Sequence, residues 1–492
     1  MAIIATPFGL SATLSLALID GQCVTILWGW VIVTLISIAI AASLAEICAV
    51  YPTSGGVYYW SAILATPEWA PAVSFVDGWL TLVGNWTVTL SINFSGAQMI
   101  LSAITLWDES YVPTAWQTVL MFWAVMLLHA LVNTFCSRYL DFINKLAMYW
   151  IAGTVIIILV VVLAMSDHKN TGSYVFGHYD ASASGWPSGW AFFVGLLQAA
   201  YTLTGYGMVA AMCEEVQNPH LEVPKAIVFS VVGAGITGIV YLLPILFVLP
   251  PVELLLAVKN GQPIGLLFKI VTGSAGGGFG LLFLLLGVWM FAGIGALTAS
   301  SRCLWAFARD GAVPGHQIWR TVNKRLDVPL YAILLSTVID ALLALIYLGS
   351  SAAFNSFTGV ATICLGASYA VPIAVSVIRG RNMVKNSSFS LGRFGYAINI
   401  ITVLWVSLAT VLFCMPTALP VTPTTMNYAS VVFTFFALVS IFWYVVYARK
   451  HFTGPPIGDV DDVKIAISTL EGADVESPPF DQTVPEKPNK TE

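Results

Sequence analysis

The sequence predicts an all-α integral membrane protein with about twelve transmembrane helices, and three observations carry that prediction. Only 9% of its 492 residues are charged and 58% are hydrophobic, whereas soluble domains carry roughly 25% charged residues. Mean hydropathy is +0.85. Apolar runs close to the roughly 20 residues needed to cross about 30 Å of hydrocarbon recur along the chain as far as residue 448.

The spans are read at 2–19, 24–49, 72–104, 116–135, 141–165, 189–212, 225–249, 277–300, 329–349, 353–378, 395–416 and 426–448. The first contains Pro7 and Gly9 and is short for a crossing, so it is expected to be a first helix shortened at its N-terminal end. The third is long enough to tilt strongly. Residues 253–274 read as a loop with amphipathic character. Lys and Arg placement orients the set: with the N-terminus inside, fourteen basic residues before position 451 fall in inner loops and three, Lys169, Lys259 and Lys269, in outer ones. Both termini are therefore expected in the cytoplasm. Residues 1–450 form the transmembrane domain. Residues 451–492, with nine acidic and three basic residues, read as a disordered acidic cytoplasmic tail.

Composition also excludes functions. Residues 1–450 hold 17 basic and 16 acidic residues, with none of the basic patterning that nucleic-acid binding needs. No HExxH, GxSxG or P-loop motif occurs, so neither an enzyme, a cofactor nor a resident metal is expected. The seven cysteines form no CxxC pair and read as small apolar residues. No span offers the repeated filter or charge ring of a channel.

Two spans carry helix-breaking signals near their middles: Thr6-Pro7-Phe8-Gly9-Leu10-Ser11-Ala12-Thr13 in the first and Tyr201-Thr202-Leu203-Thr204-Gly205-Tyr206-Gly207 in the sixth. Irregular backbone is tolerated in a bilayer only where it is buried in protein or lines a cavity. Paired discontinuous helices in equivalent halves mark the midplane site of secondary transporters. An offset of five spans fits two inverted repeats of five helices plus two more. At such breaks N–H groups suit a carboxylate and carbonyls suit an ammonium group, so a zwitterion fits both. Tyr201 and Tyr206 could cap an amine with their rings.

Three further stretches narrow the class: Glu46 followed by Tyr51-Pro52-Thr53-Ser54-Gly55-Gly56-Val57-Tyr58-Tyr59-Trp60; Glu214-Glu215-Val216-Gln217-Asn218-Pro219; and Ser300-Ser301-Arg302 with Ala306-Phe307-Ala308-Arg309-Asp310-Gly311. With the two breaks, they resemble the amino acid–polyamine–organocation transporter superfamily, above all its fungal amino acid/choline branch, over residues 1–452. The resemblance implies a LeuT-like inverted-repeat fold, alternating access and a site between spans 1, 3, 6 and 8. It implies that Gly9, Ser11 and Ala12 receive a carboxylate, and that Tyr201, Thr202, Thr204, Gly205 and Tyr206 receive the amine and gate the pocket. A permease for γ-aminobutyrate (GABA), choline or a related amine, with protons as the coupling ion, is the expected function. An exporter of an amine-bearing natural product and a non-transporting nutrient sensor are the alternatives.

Charged residues give the remaining candidates. Arg302 and Arg309 lie seven apart on one helical face, and Glu46, Glu214 and Glu215 end their spans, so opposite charges could latch an inner gate. In some proton-coupled relatives a lysine on span 5 stands where sodium binds, which the resemblance carries to Lys145. Intramembrane ionisable groups are functional candidates by default: Asp340 mid-span 9, Asp77 near an inner end and His129 in span 4, the last read as a hydrogen-bonded core histidine. Span 3 carries a polar stripe, Asn85, Thr87, Thr89, Asn93 and Ser95, suited either to line the pathway or to bond neighbouring helices.

Overall fold

The computed structural model describes residues 5–455 except 54, 259–260, 351, 386 and 423–424. The expected tail beyond residue 455 lies outside the described residues. Eleven described helices are long and apolar enough to cross a membrane. The expected first span is present as two short helices in line, α1 (Thr6–Ala12) and α2 (Leu14–Ile19).

The second span is α3 (Gln22–Val50). The glycine-rich motif after it folds into a short helix, α4 (Val57–Leu64), which the sequence reading did not separate. Then come α5 (Ala70–Ile104), α6 (Ala115–Phe135) and α7 (Leu140–Met165). The side chain of Thr114 caps the start of α6 while its own N–H donates to Gln117 Oε1 at 2.9 Å, so reciprocal bonds satisfy N–H groups that a helix start leaves unpaired. A connecting strap carries α8 (Gly172–Gly177). The sixth span follows as α9 (Ser188–Gly195), α10 (Leu197–Thr202) and a tight three-ten helix over Tyr206–Glu215.

The second half holds α11 (Pro219–Phe247), the short α12 (Val252–Leu256) and α13 (Ile264–Thr272), and α14 (Ala275–Arg309). Beyond α15 (His316–Trp319) come α16 (Leu330–Ala344), α17 (Ala353–Ile378), α18 (Gly395–Leu412) and α19 (Ala429–Trp443). The loop expected at 253–274 is thus largely helical. Its α13 packs an apolar face against α14, which is what the amphipathic pattern encodes.

Helix α5 is the central pillar: 89% of its apolar stretch is buried, against 17% in α19. Its polar stripe is mostly turned back on its own helix. Asn85, Thr87, Thr89 and Asn93 each donate to the carbonyl four residues earlier at 2.7–2.8 Å. This is the way hydroxyl and amide side chains become tolerable in an apolar helix. The outer helices show the reverse pattern, with Leu404, Phe442 and Val445 exposed where lipid tails would cover them.

Two faces of the bundle follow from the loops. One, the strap face, gathers residues 166–188, 248–274 and 413–428, tied by Asn170 N donating to Phe247 O at 2.7 Å and Leu419 N donating to Ser184 O at 2.7 Å. The other, the motif face, carries the three motif stretches. Phe452 packs there against Phe75 and Phe307, with ring centroids 5.6 and 6.3 Å apart, so the ordered bundle passes the boundary expected at residue 450.

Candidate substrate site

The broken first and sixth spans pack against each other, α1 on α10. In the sixth, α10 ends at Thr202 and Gly205 adopts φ +101°, a conformation a side chain would resist. This places the break within 203–205, as the sequence implied. In the first span it falls at Thr13, the last residue of the stretch expected to be broken, where φ is −108° and ψ 13°. Pro7 sits in the first turn of α1, where it is compatible with a helix start. Gly9, Ser11 and Ala12 therefore lie within a helix. The groups left for outside partners are carbonyls, and both are taken by buried amides. Gln198 Nε2 donates to Leu10 O at 2.9 Å, and Gln262 Nε2 donates to Ala12 O at 3.3 Å. Gln262 also donates to Gln98 Oε1 of α5 at 3.2 Å.

A cavity of about 30 Å³ lies between the start of α1 and the sixth-span break, lined by Ala5, Phe8 and Gly9 of the first span, Val88 and Ile92 of the third, Tyr201, Thr202 and Thr204 of the sixth, and Ala292 of the eighth. Four spans converge as expected. The space suits a water and is too small for an amino acid, so the site is contracted. Gly9 makes the contact of the first and sixth spans possible: a Cβ there would lie 2.8 Å from Thr202 Cγ2. Ser91 Oγ donates to Val88 O at 3.0 Å, which spends its single proton. Tyr201 Oη, 2.7 Å from Ser91 Oγ, is therefore the donor in that pair.

Of the eight predicted binding residues, Gly9, Tyr201, Thr202 and Thr204 line this cavity; Ser11, Ala12, Gly205 and Tyr206 do not. Ser11 Oγ donates to Pro7 O at 2.7 Å and accepts from Tyr241 at 2.6 Å, facing the seventh span. Tyr206 stacks obliquely on Tyr369 at 5.0 Å. Ala5, Phe8, Val88, Ile92 and Ala292 were missed, since an apolar lining leaves no chemical mark in a sequence already rich in apolar residues.

A larger cavity, about 320 Å³, opens toward the motif face. Tyr58 and Gly56, Thr81 and Asn85, Met208, Arg302 and Arg309, Asp327 and Tyr369 line it. Asn85 lines this vestibule and Val88 the central cavity, so the two spaces are about one helical turn apart along α5. Arg302 and Arg309 do share a helix face here. Arg309 Nε lies 3.3 Å from Asp310 Oδ1 and its guanidinium 5.2 Å from the Trp305 ring. Tyr58 Oη donates to Asp310 Oδ2 at 2.8 Å. Burial pushes the Asp310 carboxyl up, and the Tyr58 hydroxyl and Arg309 pull it back.

The expected latch between Glu46 and these arginines is corrected. Glu46, 2% exposed, takes Arg381 as its partner at 2.5 Å and accepts Leu391 N at 2.9 Å. Its helix ends beside the loop between the tenth and eleventh spans, out of reach of α14. The side chains of Glu214 and Glu215 lie outside the described set. Lys145 is also corrected: it is 68% exposed and pairs with Asp141 one turn earlier at 2.7 Å, so it is no half-buried ion mimic. His129 is buried with Nδ1 2.7 Å from Asn93 Oδ1, as a core histidine should be. Asp77 is bonded by Ser61 Oγ. Asp340 is buried with neither carboxyl oxygen bonded.

Two interrupted helices facing each other at the centre of such a bundle define a multi-pass membrane transport protein. Residues 1–437 match the family described as Amino acid permease. The chain is 35% identical to the amino-acid permease BAT1 of Arabidopsis thaliana over 92% of its own length and 90% of the relative's. It is 33% identical to the polyamine transporter TPO5 of Saccharomyces cerevisiae, over 95% and 78%, and 33% identical to amino-acid permease 2 of Neurospora crassa, over 88% and 80%. The chain belongs to the amino acid permease family, within the amino acid–polyamine–organocation superfamily. These relatives are named for transport and not for catalysis.

Proposed function

We propose that this permease is a proton-coupled secondary transporter of a small zwitterionic amino acid or amine, with γ-aminobutyrate and choline the first candidates, working by alternating access. The observation that carries this reading is the lining of the central cavity, which contains hydroxyls, a phenol and apolar groups and no charged side chain. A zwitterion balances its own charges in such a site, with polar break ends for its two groups. A polyamine, the substrate in the name of one relative, brings several ammonium charges that call for carboxylates.

Protons are proposed over sodium because the two carbonyls beside the first break, Leu10 O and Ala12 O, each already accept an amide donor, which takes up one of the two lone pairs that a metal cation would draw on. The fourteen-to-three distribution of basic residues supports a cytoplasmic motif face and cytoplasmic termini, so the 320 Å³ vestibule faces inward. A plasma-membrane location is part of the proposal.

Uptake of labelled γ-aminobutyrate, choline, spermidine and an amino-acid panel, in cells lacking their own permeases, tests it at outside pH 5 and 7.5. Saturable uptake of one zwitterion or choline, favoured at pH 5, is expected. Preference for spermidine, or accumulation that follows sodium and ignores pH, would overturn the reading.

A further inference from the structure

The turn that joins the first span to the second, on the strap face, holds a buried acid, Asp20. Asp20 is 1% exposed. Its Oδ1 is buried without a hydrogen-bond partner, and no cation pairs with it among the described residues. Its backbone is well held: Asp20 N donates to Leu16 O at 3.3 Å, and Asp20 O accepts from Thr25 Oγ1 at 2.9 Å. The orphaned carboxyl is thus not a sign of a loose turn.

The seat of this carboxyl is made by the sixth span. A Cβ at Gly195 would lie 2.8 Å from the Cβ of Asp20, so the missing side chain at 195 is what lets the turn close on α9. The strap crosses the same turn, with Val24 N donating to His178 O at 3.2 Å and Trp28 Nε1 to Phe176 O at 3.0 Å. The two interrupted spans are therefore clamped together on the strap face at the point where Asp20 is buried.

The ionisable groups around it do not neutralise it. Helices α2 and α9 carry none. The second span brings the buried Cys23 thiol. The strap brings Tyr174, His178, Tyr179 and Asp180, and α12, which packs on α2, brings Glu253. His178 stacks on Tyr174 at 4.4 Å, and Asp180 faces Gln22 at 3.4 Å. Burial and the Asp20 charge both push the Tyr179 phenol up. Burial alone pushes the Asp20 carboxyl from 3.8 up to about 8.

We infer that Asp20 is a proton-binding site of the outer gate, which must be occupied for the first span to seat against Gly195 of the sixth. This rests on the reading of the protein as an alternating-access permease whose strap face is outward. When the clamp opens, water reaches Asp20 and the carboxyl ionises at ordinary outside pH. Closing then requires one proton from the outer solution, and reopening returns it to that same solution. No net proton crosses the membrane by this route, so the site governs how readily the gate closes, while accumulation is driven elsewhere.

The sign follows from linkage. A group whose affinity for protons is raised in the closed form favours that form at low pH and loses the preference as pH rises toward its closed-state value. The closed-to-open ratio should fall by up to about tenfold per pH unit between roughly pH 4 and 8, then level off. The neutral variant Asp20→Asn should stay closed throughout.

The buried thiol of Cys23 offers a reporter, since opening of this turn exposes it. In the full chain with Cys414→Ser, the rate at which a membrane-impermeant thiol reagent applied outside labels Cys23 is measured at pH 5 to 9, with and without Asp20→Asn. Dividing one rate by the other at each pH removes the reagent's own pH dependence. The ratio is expected on the order of ten at pH 5, rising steeply to pH 8 and flat above. A ratio constant across the range overturns the inference. Asp20→Ser carries the same comparison if the Asn variant does not reach the membrane. A chain that shows the rise yet accumulates no substrate on an inward proton gradient would overturn the coupling proposal and leave Asp20 standing.

Discussion

The two faces of this permease are closed by different chemistry. On the strap face the broken first span is held by neutral donors, Gln198 and Gln262, on backbone carbonyls. On the motif face charges do the holding: Glu46 with Arg381, and Asp310 with Tyr58 and Arg309. Neutral hydrogen bonds each contribute about 0.5–1.5 kcal/mol net, so such a clamp can be opened piecemeal. A buried ion pair costs little while intact and about 3–5 kcal/mol when one partner is removed. One face is held by neutral bonds and the other by charged ones.

The largest effect should come from breaking the latch. Glu46→Gln leaves Arg381 half-buried opposite a neutral amide, and a loss of about 3 kcal/mol is expected as a lower melting temperature of the purified protein. Adding Arg381→Met should restore much of it, and failure to do so would mean that the pair is not the cause. Next, Gln262→Ala removes the donor to Ala12 O and Gln98, at about 1–3 kcal/mol for the acceptors left buried. It should speed labelling of Cys23 from outside without altering the motif face. Tyr201→Phe removes only the hydroxyl that donates to Ser91, about 1 kcal/mol. It should raise KM severalfold with the fold intact, and an unchanged KM would remove Tyr201 from the site. The smallest effect belongs to Lys145→Met, an exposed pair of the kind that contributes little. Its pH profile should match the parent within about twofold. A lost profile would restore Lys145 as the coupling group and shift attention from both faces to the fifth span.

Much of the fold was legible because membrane helices announce themselves by length and apolarity. Spans such as 353–378 match α17 at both ends. The sixth-span break was legible too, since Gly205 must take a backbone conformation that other residues resist. The first-span break lies at the end of the stretch that marked it, Thr6–Thr13, because Pro7 reads as an interruption in sequence and acts as a helix start in space. The Glu46 partner was out of reach because 335 positions separate it from Arg381 and several other arginines lay nearer in sequence. Asp20, Gln198 and Gln262 were passed over as loop or span polars. Their meaning depends on which carbonyl or glycine stands opposite, and a single sequence does not disclose that.

The single turn of α5 between Asn85 and Val88 has a pharmacological consequence. A compound that fills the vestibule beneath the Tyr206–Tyr369 pair would sit in the path of cargo leaving the central cavity. It would block discharge and leave loading untouched. Substrate in the medium could not outcompete it. With the vestibule facing inward as proposed, such a compound must first cross the bilayer, and its potency would track residues on the vestibule side of that turn, so selectivity between related permeases could be built without touching the substrate pocket.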